Sequence, residues 1–305
     1  GMVQELNWMV IPLSENPCAA AQGALAIECR SNDNSTKEII KSISSFSSMS
    51  SIEEERKILQ SYGGGCHQKI GSSVEVLETG LVKTTKGETE EGRNISKRFF
   101  VANKENKTFF SDVSEMNYFP ASREEQSFFK RVNLQDTENE LPKITNKGIY
   151  VSRSNAIGES IKIDDSNIIW TSGVDTWISL AMKGFWVNGT SDSLGEKNSP
   201  GENPFKDMDW LKVSHADAEN HDIDIIATYK LEPLELKKRM QSCEYFYWMS
   251  ASSFKLAIDT FPEILTKKHS CGLGNTYDFI NGMIPENTFP CLNYDSWLEQ
   301  IKANH

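Results

Sequence analysis

The chain has 305 residues and a formal net charge of −11, with 38% hydrophobic and 25% charged residues. This length allows two domains that each bury a core, and the acidic balance disfavours nucleic acid and acidic membranes as partners. The six cysteines lack the close spacing of a zinc site or a disulfide scaffold, and no apolar run approaches the ~20 residues of a membrane span. Composition therefore predicts a cytoplasmic protein without a metal site.

The first predicted elements are a strand and a helix. Residues 21–30, AQGALAIECR, form a small-residue turn and an apolar run that ends in charge, which predicts a buried strand. Residues 51–60 place Ile52 and Leu59 two turns apart, with three acidic residues near the start, where the helix dipole favours them. They predict an amphipathic helix with Ser51 as its N-cap.

A glycine-rich loop around Cys66 follows this helix. Its sequence, YGGGCHQKIG over residues 62–71, places three consecutive glycines before the cysteine. Glycine adopts backbone conformations closed to other residues and lets a bulky group approach the main chain. A free cysteine is also often a small buried apolar residue, so a structural role for Cys66 stands beside a chemical one.

The succession QGALAIECR, EEERKIL and GGGCHQKIG resembles the C-terminal part of the porphobilinogen deaminase (hydroxymethylbilane synthase) family in order and rough spacing. The resemblance covers roughly residues 10–105. It implies that porphobilinogen is the substrate and that Cys66 carries a dipyrromethane cofactor through a thioether, with Gly64, Gly65 and Arg30 also at the cofactor site. A thiolate suits this role because it traps the electrophilic methylene left when porphobilinogen loses ammonia.

The chain also departs from that family. The family's catalytic aspartate and most of its substrate-binding cations precede the strand that begins at Gln22, and only 21 residues precede Gln22 here. No catalytic residue is therefore identified. Either a separate N-terminal deaminase polypeptide supplies the front part, or that part was removed, or the activity has been lost. The local cations that are candidates for substrate contact are Arg30, Lys69, Lys97 and Arg98.

Pattern changes along the chain predict its domain organisation. Short strands separated by glycine-containing turns are predicted over residues 72–79, 81–86 and 96–102. With the helix before Cys66 and a second helical stretch over residues 37–46, they predict a small domain of one sheet covered by helices. We expect an N-terminal strand and loop segment over residues 2–30, a deaminase C-terminal-like domain over 31–104, a linker with a short helix around 122–129 over 105–146, and an α/β domain over 147–305.

The second half alternates strands with helices, which is typical of an open α/β domain. Strands are predicted over residues 147–153, 167–172, 185–188, 223–229 and 244–249, and a helix over 175–183. A weak internal echo supports repeated units, because Trp170-Thr171-Ser172 before Leu180-Ala181 recurs as Trp248-Met249-Ser250 before Leu256-Ala257. The expected fold class is α/β (α+β), with a small sheet-plus-helices domain followed by an open α/β domain.

Strand, small hydroxyl residues, then helix is also similar to the pattern of the uroporphyrinogen-III synthase family. The run CGLGNTY over residues 271–277 looks like that family's glycine-then-threonine turn. The region is short for the family's two-lobed fold, so one lobe is expected to be reduced. The alternative is a generic α/β domain whose small residues close the ends of its strands.

The second resemblance implies a binding cleft at the strand ends. There, hydroxyls and the N–H groups of helix N-termini hold the carboxylates of hydroxymethylbilane without a full positive charge. The implied substrate-binding residues are Thr171, Ser172, Ser250, Ser252 and Thr276. Tyr229 and Tyr277 are candidate proton donors, with packing in the core or rim as the alternative.

Three hypotheses follow, all in tetrapyrrole biosynthesis. The first, which we favour, is a part of a hydroxymethylbilane synthase in which Cys66 holds the cofactor. The second is a uroporphyrinogen-III synthase-type enzyme whose activity resides after residue 147 and does not need Cys66. The third is a non-catalytic module that docks on a separate deaminase.

Overall fold

The computed structural model describes residues 7–65, 68–103, 109–111, 113–114, 117–195, 208–218 and 223–304. It has the predicted α/β fold class, with helices and mixed sheets. The chain divides into two compact units, Leu13–Glu105 and the combination of Gly1–Pro12 with Asn106–His305. Within the described ranges, no helix is long and apolar enough to cross a membrane.

The unit Leu13–Glu105 has two helices and one antiparallel sheet of order β1-β2-β3. Its elements are α1 Asn34–Ile43, α2 Phe46–Ser61, β1 Lys69–Leu77, β2 Gly80–Glu88 and β3 Asn94–Ala102. The three predicted strands are confirmed, with ends that differ by a few residues. Val74 and Val82 are buried, and α2 packs against β1, so this helix covers one face of the sheet.

The N-cap predicted at Ser51 is wrong. The helix α2 begins earlier, and its N-cap is Ser45, whose Oγ accepts the N–H of Ser48 at 3.3 Å. Ser51 lies inside the helix. A serine run offers several residues that can cap, and Ser45, which has extended backbone directly before the helix, takes the role.

The buried strand predicted near the start of the chain is also wrong. Residues 24–30 have no regular secondary structure, and Leu25 and Ile27 are 97% and 60% exposed. An apolar run becomes a buried strand only when a neighbouring strand completes its hydrogen bonds and another layer covers its side chains. No described residue supplies either one here.

The other unit contains two sheets, which we call the six-stranded lobe and the four-stranded lobe. Their strand orders are β5-β10-β9-β6-β7-β8 and β13-β12-β11-β4. Neighbouring strands are parallel except β5 and β10, which are antiparallel. The strands are β4 Tyr118–Phe119, β5 Phe129–Asn133, β6 Gly148–Val151, β7 Ile168–Thr171, β8 Gly189–Thr190, β9 Trp210–His215, β10 Asp224–Pro233, β11 Tyr245–Trp248, β12 Lys268–Cys271 and β13 Thr288–Pro290.

Helices join these strands in both lobes. They are α3 Gln135–Glu138, α4 Val174–Met182, α5 Ala251–Thr260, α6 Asn275–Met283 and α7 Tyr294–Ala303. The core of the six-stranded lobe is built around Ile149, Val151 and Val213. That of the four-stranded lobe is aromatic and is built around Phe246 and Trp248.

The segment 105–146, predicted as a linker, differs from that prediction because it supplies strands to both lobes. Phe119 and Phe128 are 1% and 5% exposed and belong to the core of the four-stranded lobe. The helix predicted around residues 122–129 is only a 3₁₀ turn, Arg123–Gln126. Because these residues complete the four-stranded lobe, the region after Asn106 builds two sheets.

Candidate functional site

The glycine loop is the first candidate site, and its predicted thiol, Cys66, lies outside the described residues together with His67. The three preceding glycines have φ values of +100°, +67° and +97°. Other residues rarely adopt this left-handed region. Among the described residues, a β-carbon built on Gly64 would meet only the α-carbon of Gln60, at 4.0 Å, whereas one built on Gly63 would lie 3.4 Å from Nε2 of Gln68. The open space at Gly64 fits a bulky bound group such as the predicted cofactor.

Both ends of the glycine loop are attached to neighbouring elements. Tyr62 is the C-cap of α2, and its hydroxyl accepts a hydrogen bond from Nζ of Lys97 on β3, at 3.3 Å. After the loop, the Lys69 ammonium lies 3.3 Å from a carboxylate oxygen of Glu88 on β2. Both lysines were candidates for substrate contact, and both lie beside the loop.

The other two candidate cations lie in different settings. The guanidinium of Arg98 lies 4.0 Å from the Glu75 carboxylate. Arg30 is exposed at the end of residues 24–30, the segment without regular secondary structure. Its side chain makes no hydrogen bond or ion pair with another described residue. Its predicted place at the cofactor site remains a prediction.

The two hydroxyls at the end of β7 that were predicted to bind substrate form hydrogen bonds to backbone carbonyls of the protein. Thr171 is fully buried, and its Oγ1 donates to the carbonyls of Gly173 at 3.2 Å and Gly189 at 3.4 Å. The Oγ of Ser172 donates to the carbonyl of Ser152 at 2.8 Å. Both hydroxyls therefore stabilise the strand end, as in the alternative of a generic α/β domain.

The hydroxyls of the four-stranded lobe divide into two kinds. Ser250 is the N-cap of α5, where its Oγ accepts the N–H of Ser253 at 3.2 Å. Ser252 and Thr276 lie in the first turns of α5 and α6, are half-buried, and form no hydrogen bond through their hydroxyls to the described residues. Because N–H groups at a helix start favour anions, these two residues are the better placed of the five for a ligand.

The strand ends of the two lobes meet at a close backbone contact. Gly195 follows β8 in the six-stranded lobe, and Gly274 lies in the turn between β12 and α6 in the four-stranded lobe. A β-carbon built on Gly274 would lie 2.9 Å from the α-carbon of Gly195. The carboxyl ends of both parallel sheets therefore lie near one another, where open α/β sheets bind ligands.

A basic cluster at the carboxyl ends of β6 and β9 was missed by the sequence analysis. The guanidinium carbon of Arg131 on β5 lies 3.3 Å from the ring centroid of Tyr229 on β10, and the ring of His215 lies 5.9 Å from the same ring. Arg153, directly after β6, also acts electrostatically on Arg131 and His215. These residues carry no local motif, and only the strand order brings them together.

The two candidate proton donors lie in different environments. Tyr229 is 4% exposed beneath Arg131. Tyr277 packs against the aromatic core of the four-stranded lobe, and burial raises its pKa. The position of Tyr229 is therefore consistent with a proton donor at the strand ends. The position of Tyr277 is consistent with packing in the core.

A segment of this chain is related to porphobilinogen deaminases. It is 39% identical over 79 residues to the porphobilinogen deaminase of Fusobacterium nucleatum, a match that covers 26% of each chain. The enzyme of Natranaerobius thermophilus is 31% identical over 98 residues, covering 32% of this chain and 31% of the relative. That of Nostoc sp. is 32% identical over 88 residues, covering 29% and 27%. The chain thus spans about a quarter to a third of the length of these relatives, and no family model matches it.

Proposed function

We propose that this chain takes part in tetrapyrrole biosynthesis and that its unit Leu13–Glu105 is the cofactor-carrying portion of a hydroxymethylbilane synthase. The observation that carries the proposal is the 39% identity over 79 residues to a porphobilinogen deaminase. The proposed substrate is porphobilinogen. The proposed cofactor is a dipyrromethane on Cys66, which when bound supplies the primer to which pyrrole units are added.

The described residues around Cys66 support this role through their backbone. The glycines before it have left-handed backbone, and among the described residues the space beside Gly64 is open. Gly64 and Gly65 are the proposed contacts of the cofactor. The lysines beside the loop, Lys69 and Lys97, supply positive charge for the acidic side chains of a pyrrole substrate. The Cys66 thiolate would form the thioether, with its sulfur bonded to the methylene carbon from which ammonia departs.

We also propose that the remaining deaminase domains bind to the exposed apolar segment of residues 24–30. The chain matches only about a quarter of the Fusobacterium enzyme, so most of that enzyme has no matched counterpart here. Leu25 and Ile27 are exposed in a segment without regular secondary structure, and such a segment can add a strand to the edge of another sheet. A deaminase front portion, carried on a separate polypeptide or elsewhere in a longer chain, is the proposed occupant.

The test is the intact mass of the purified chain before and after exposure to porphobilinogen, followed by peptide mapping. Pyrrole-sized additions on Cys66, absent in Cys66→Ser and present in Cys29→Ser, are expected when the front portion is supplied. An unmodified Cys66 in the presence of that portion would overturn the deaminase role.

A second candidate function, of the uroporphyrinogen-III synthase type, is favoured for the other unit by its chain path. The chain passes from the four-stranded lobe through β5 into the six-stranded lobe and returns through β10, the antiparallel neighbour of β5. Two α/β lobes joined in this way, with their strand ends brought together at Gly195 and Gly274, fit a cleft for one large ligand. The proposed ligand is hydroxymethylbilane.

This second function is tested by the isomer that forms from hydroxymethylbilane. Spontaneous closure gives the type I ring, and a synthase gives type III, so chromatography of the oxidised products distinguishes them. Cys66→Ser should leave type III formation unchanged. Type I product alone, from folded protein, would remove this candidate.

A further inference from the structure

Arg131 has a position that its surroundings do not explain. It lies on β5, opposite Leu231 in the antiparallel pairing with β10, and its guanidinium stacks on the Tyr229 ring. Its Nε and Nη2 atoms are buried and find no hydrogen-bond acceptor among the described residues. Leaving buried donors of a charged group without a partner lowers the free energy of unfolding. A bound anion would supply the acceptors that these donors lack.

A second orphaned nitrogen lies beside Arg131. Nδ1 of His215 is buried without a hydrogen-bond partner in the described part of the chain. His215 ends β9 and pairs in register with Tyr229, so both nitrogen-bearing side chains flank one aromatic ring. The orphaned nitrogens of Arg131 and His215 therefore belong to side chains that both pack near the ring of Tyr229.

Further charged groups act on Arg131 and His215. Besides Arg131 itself, the cations are Arg153 and Lys212, and the anions are Glu138 and Asp217. Burial lowers the pKa of His215, the Asp217 carboxylate acts in the opposite direction, and the nearby cations lower it again. The imidazole is therefore neutral at neutral pH. The planar guanidinium of Arg131 beside a neutral imidazole suits a carboxylate, whose two oxygens lie in one plane.

We propose that Arg131, together with Arg153 and His215, binds one carboxylate of a polycarboxylate tetrapyrrole at the carboxyl ends of β6 and β9. The choice of tetrapyrrole rests on the proposed function, whereas the carboxylate site itself rests on the orphaned donors of Arg131 and His215. The planar fork of Arg131 can hold both oxygens of a carboxylate, with its face supported by Tyr229. The site also explains how an acidic protein accepts an acidic ligand.

The first test is binding of uroporphyrin, a planar octacarboxylate, followed by its fluorescence. Arg131→Met should weaken binding about 10- to 100-fold, as expected for the loss of a charge-assisted pair. The matched control is Lys130→Gln, which removes one positive charge from an exposed position on the same strand and should leave binding within about twofold. If Arg131 had a purely structural role, Arg131→Met would have a lower thermal midpoint than wild type. We expect Arg131→Met without ligand to unfold at the same or a higher temperature than wild type, because the substitution removes an orphaned buried charge.

The second test uses succinate and inorganic phosphate in thermal unfolding, and it separates the inference from the proposed function. The site is supported if succinate raises the thermal midpoint of wild type more than phosphate does and if Arg131→Met loses this rise. This result supports the site even if uroporphyrin does not bind. Equal uroporphyrin binding by wild type and Arg131→Met would overturn the site and leave the proposed function standing. No response of wild type to any of the three anions would overturn the inference.

Discussion

The backbones of Gly195 and Gly274 are in contact where the strand ends of the six-stranded and four-stranded lobes meet. A β-carbon on either residue would be too close to the α-carbon of the other. Gly274→Ala should push these segments apart and cost about 1–3 kcal/mol of unfolding free energy, as for an overpacked core. Uroporphyrin binding should weaken in the same variant because the cleft changes shape. Calorimetry and fluorescence titration measure the two effects.

The control for this prediction lies two residues away in the same turn. A β-carbon built on Gly272 meets nothing within 4 Å, so Gly272→Ala should unfold and bind like wild type. Equal effects of the two substitutions would mean that loss of glycine flexibility, rather than the contact with Gly195, is responsible.

His269 should make the four-stranded lobe sensitive to acid. The imidazole is fully buried, its Nδ1 accepts from Nε1 of Trp248 at 2.9 Å, and its Nε2 lies 2.9 Å from the carbonyl oxygen of Ile264. Burial lowers the pKa of His269 to about 4. Because the unfolded state binds a proton first, the stabilisation is complete above pH ~6.5 and is lost as the pH falls through ~4, by about 3 kcal/mol in all.

Urea unfolding between pH 7 and pH 4 tests this expectation. His269→Gln keeps a neutral hydrogen-bonding side chain and should show a flatter fall in unfolding free energy than wild type. If the wild-type and variant curves remain parallel over this range, another group is responsible for the acid sensitivity.

Glu55 should hold the start of its unit to the sheet. One carboxylate oxygen accepts the N–H of Ala21 at 2.8 Å, and the other accepts the N–H of Val74 at 3.1 Å. Glu55→Gln places an amide group against one of these donors and should cost about 1.5–3 kcal/mol. Hydrogen exchange at the Ala21 and Val74 amides should accelerate, whereas Glu53→Gln, at an exposed position on the same helix, should leave both rates unchanged.

Glu125 should stabilise the join between the 3₁₀ turn after β4 and the segment before β11. Its carboxylate accepts hydrogen bonds from Arg239, from Lys237 and from the N–H of Ala121. The bonds from Arg239 in particular lower the pKa of Glu125 to about 2, so its contribution is complete above pH ~4.5 and is lost as the pH falls through ~2. Glu125→Gln should lower the unfolding midpoint at pH 7, and Glu124→Gln, the exposed neighbour, should not. Equal midpoints for wild type and Glu125→Gln would contradict this role.

The sequence predicted local structure well where a short-range pattern decides it. Strands β1 to β3 are separated by glycine-containing turns, so their places are visible in the residues alone. The segment around Leu25 has the same apolar character, yet it is exposed. Its burial would need a neighbouring strand and a covering layer, and no described residue supplies them. Burial of an isolated run is a tertiary property.

The candidate site shows the same limit more strongly. Ser172 follows β7 and Ser250 caps α5, and the partners of their hydroxyls depend on the packed backbone. Arg131, Arg153 and His215 are far apart in the chain and meet only through the order of β5, β10, β9 and β6. A single sequence carries no periodic signal for such a cluster.

The divided origin of the four-stranded lobe has a consequence for synthesis on the ribosome. Its edge strand β4 precedes the whole six-stranded lobe in the chain, and β11, β12 and β13 follow it. A nascent chain therefore releases Phe119 and Phe128 before core partners such as Phe246 and Trp248 have been translated, and the six-stranded lobe can complete itself first as an inserted unit. The early aromatic segment is a natural target for chaperones until the last third of the protein emerges.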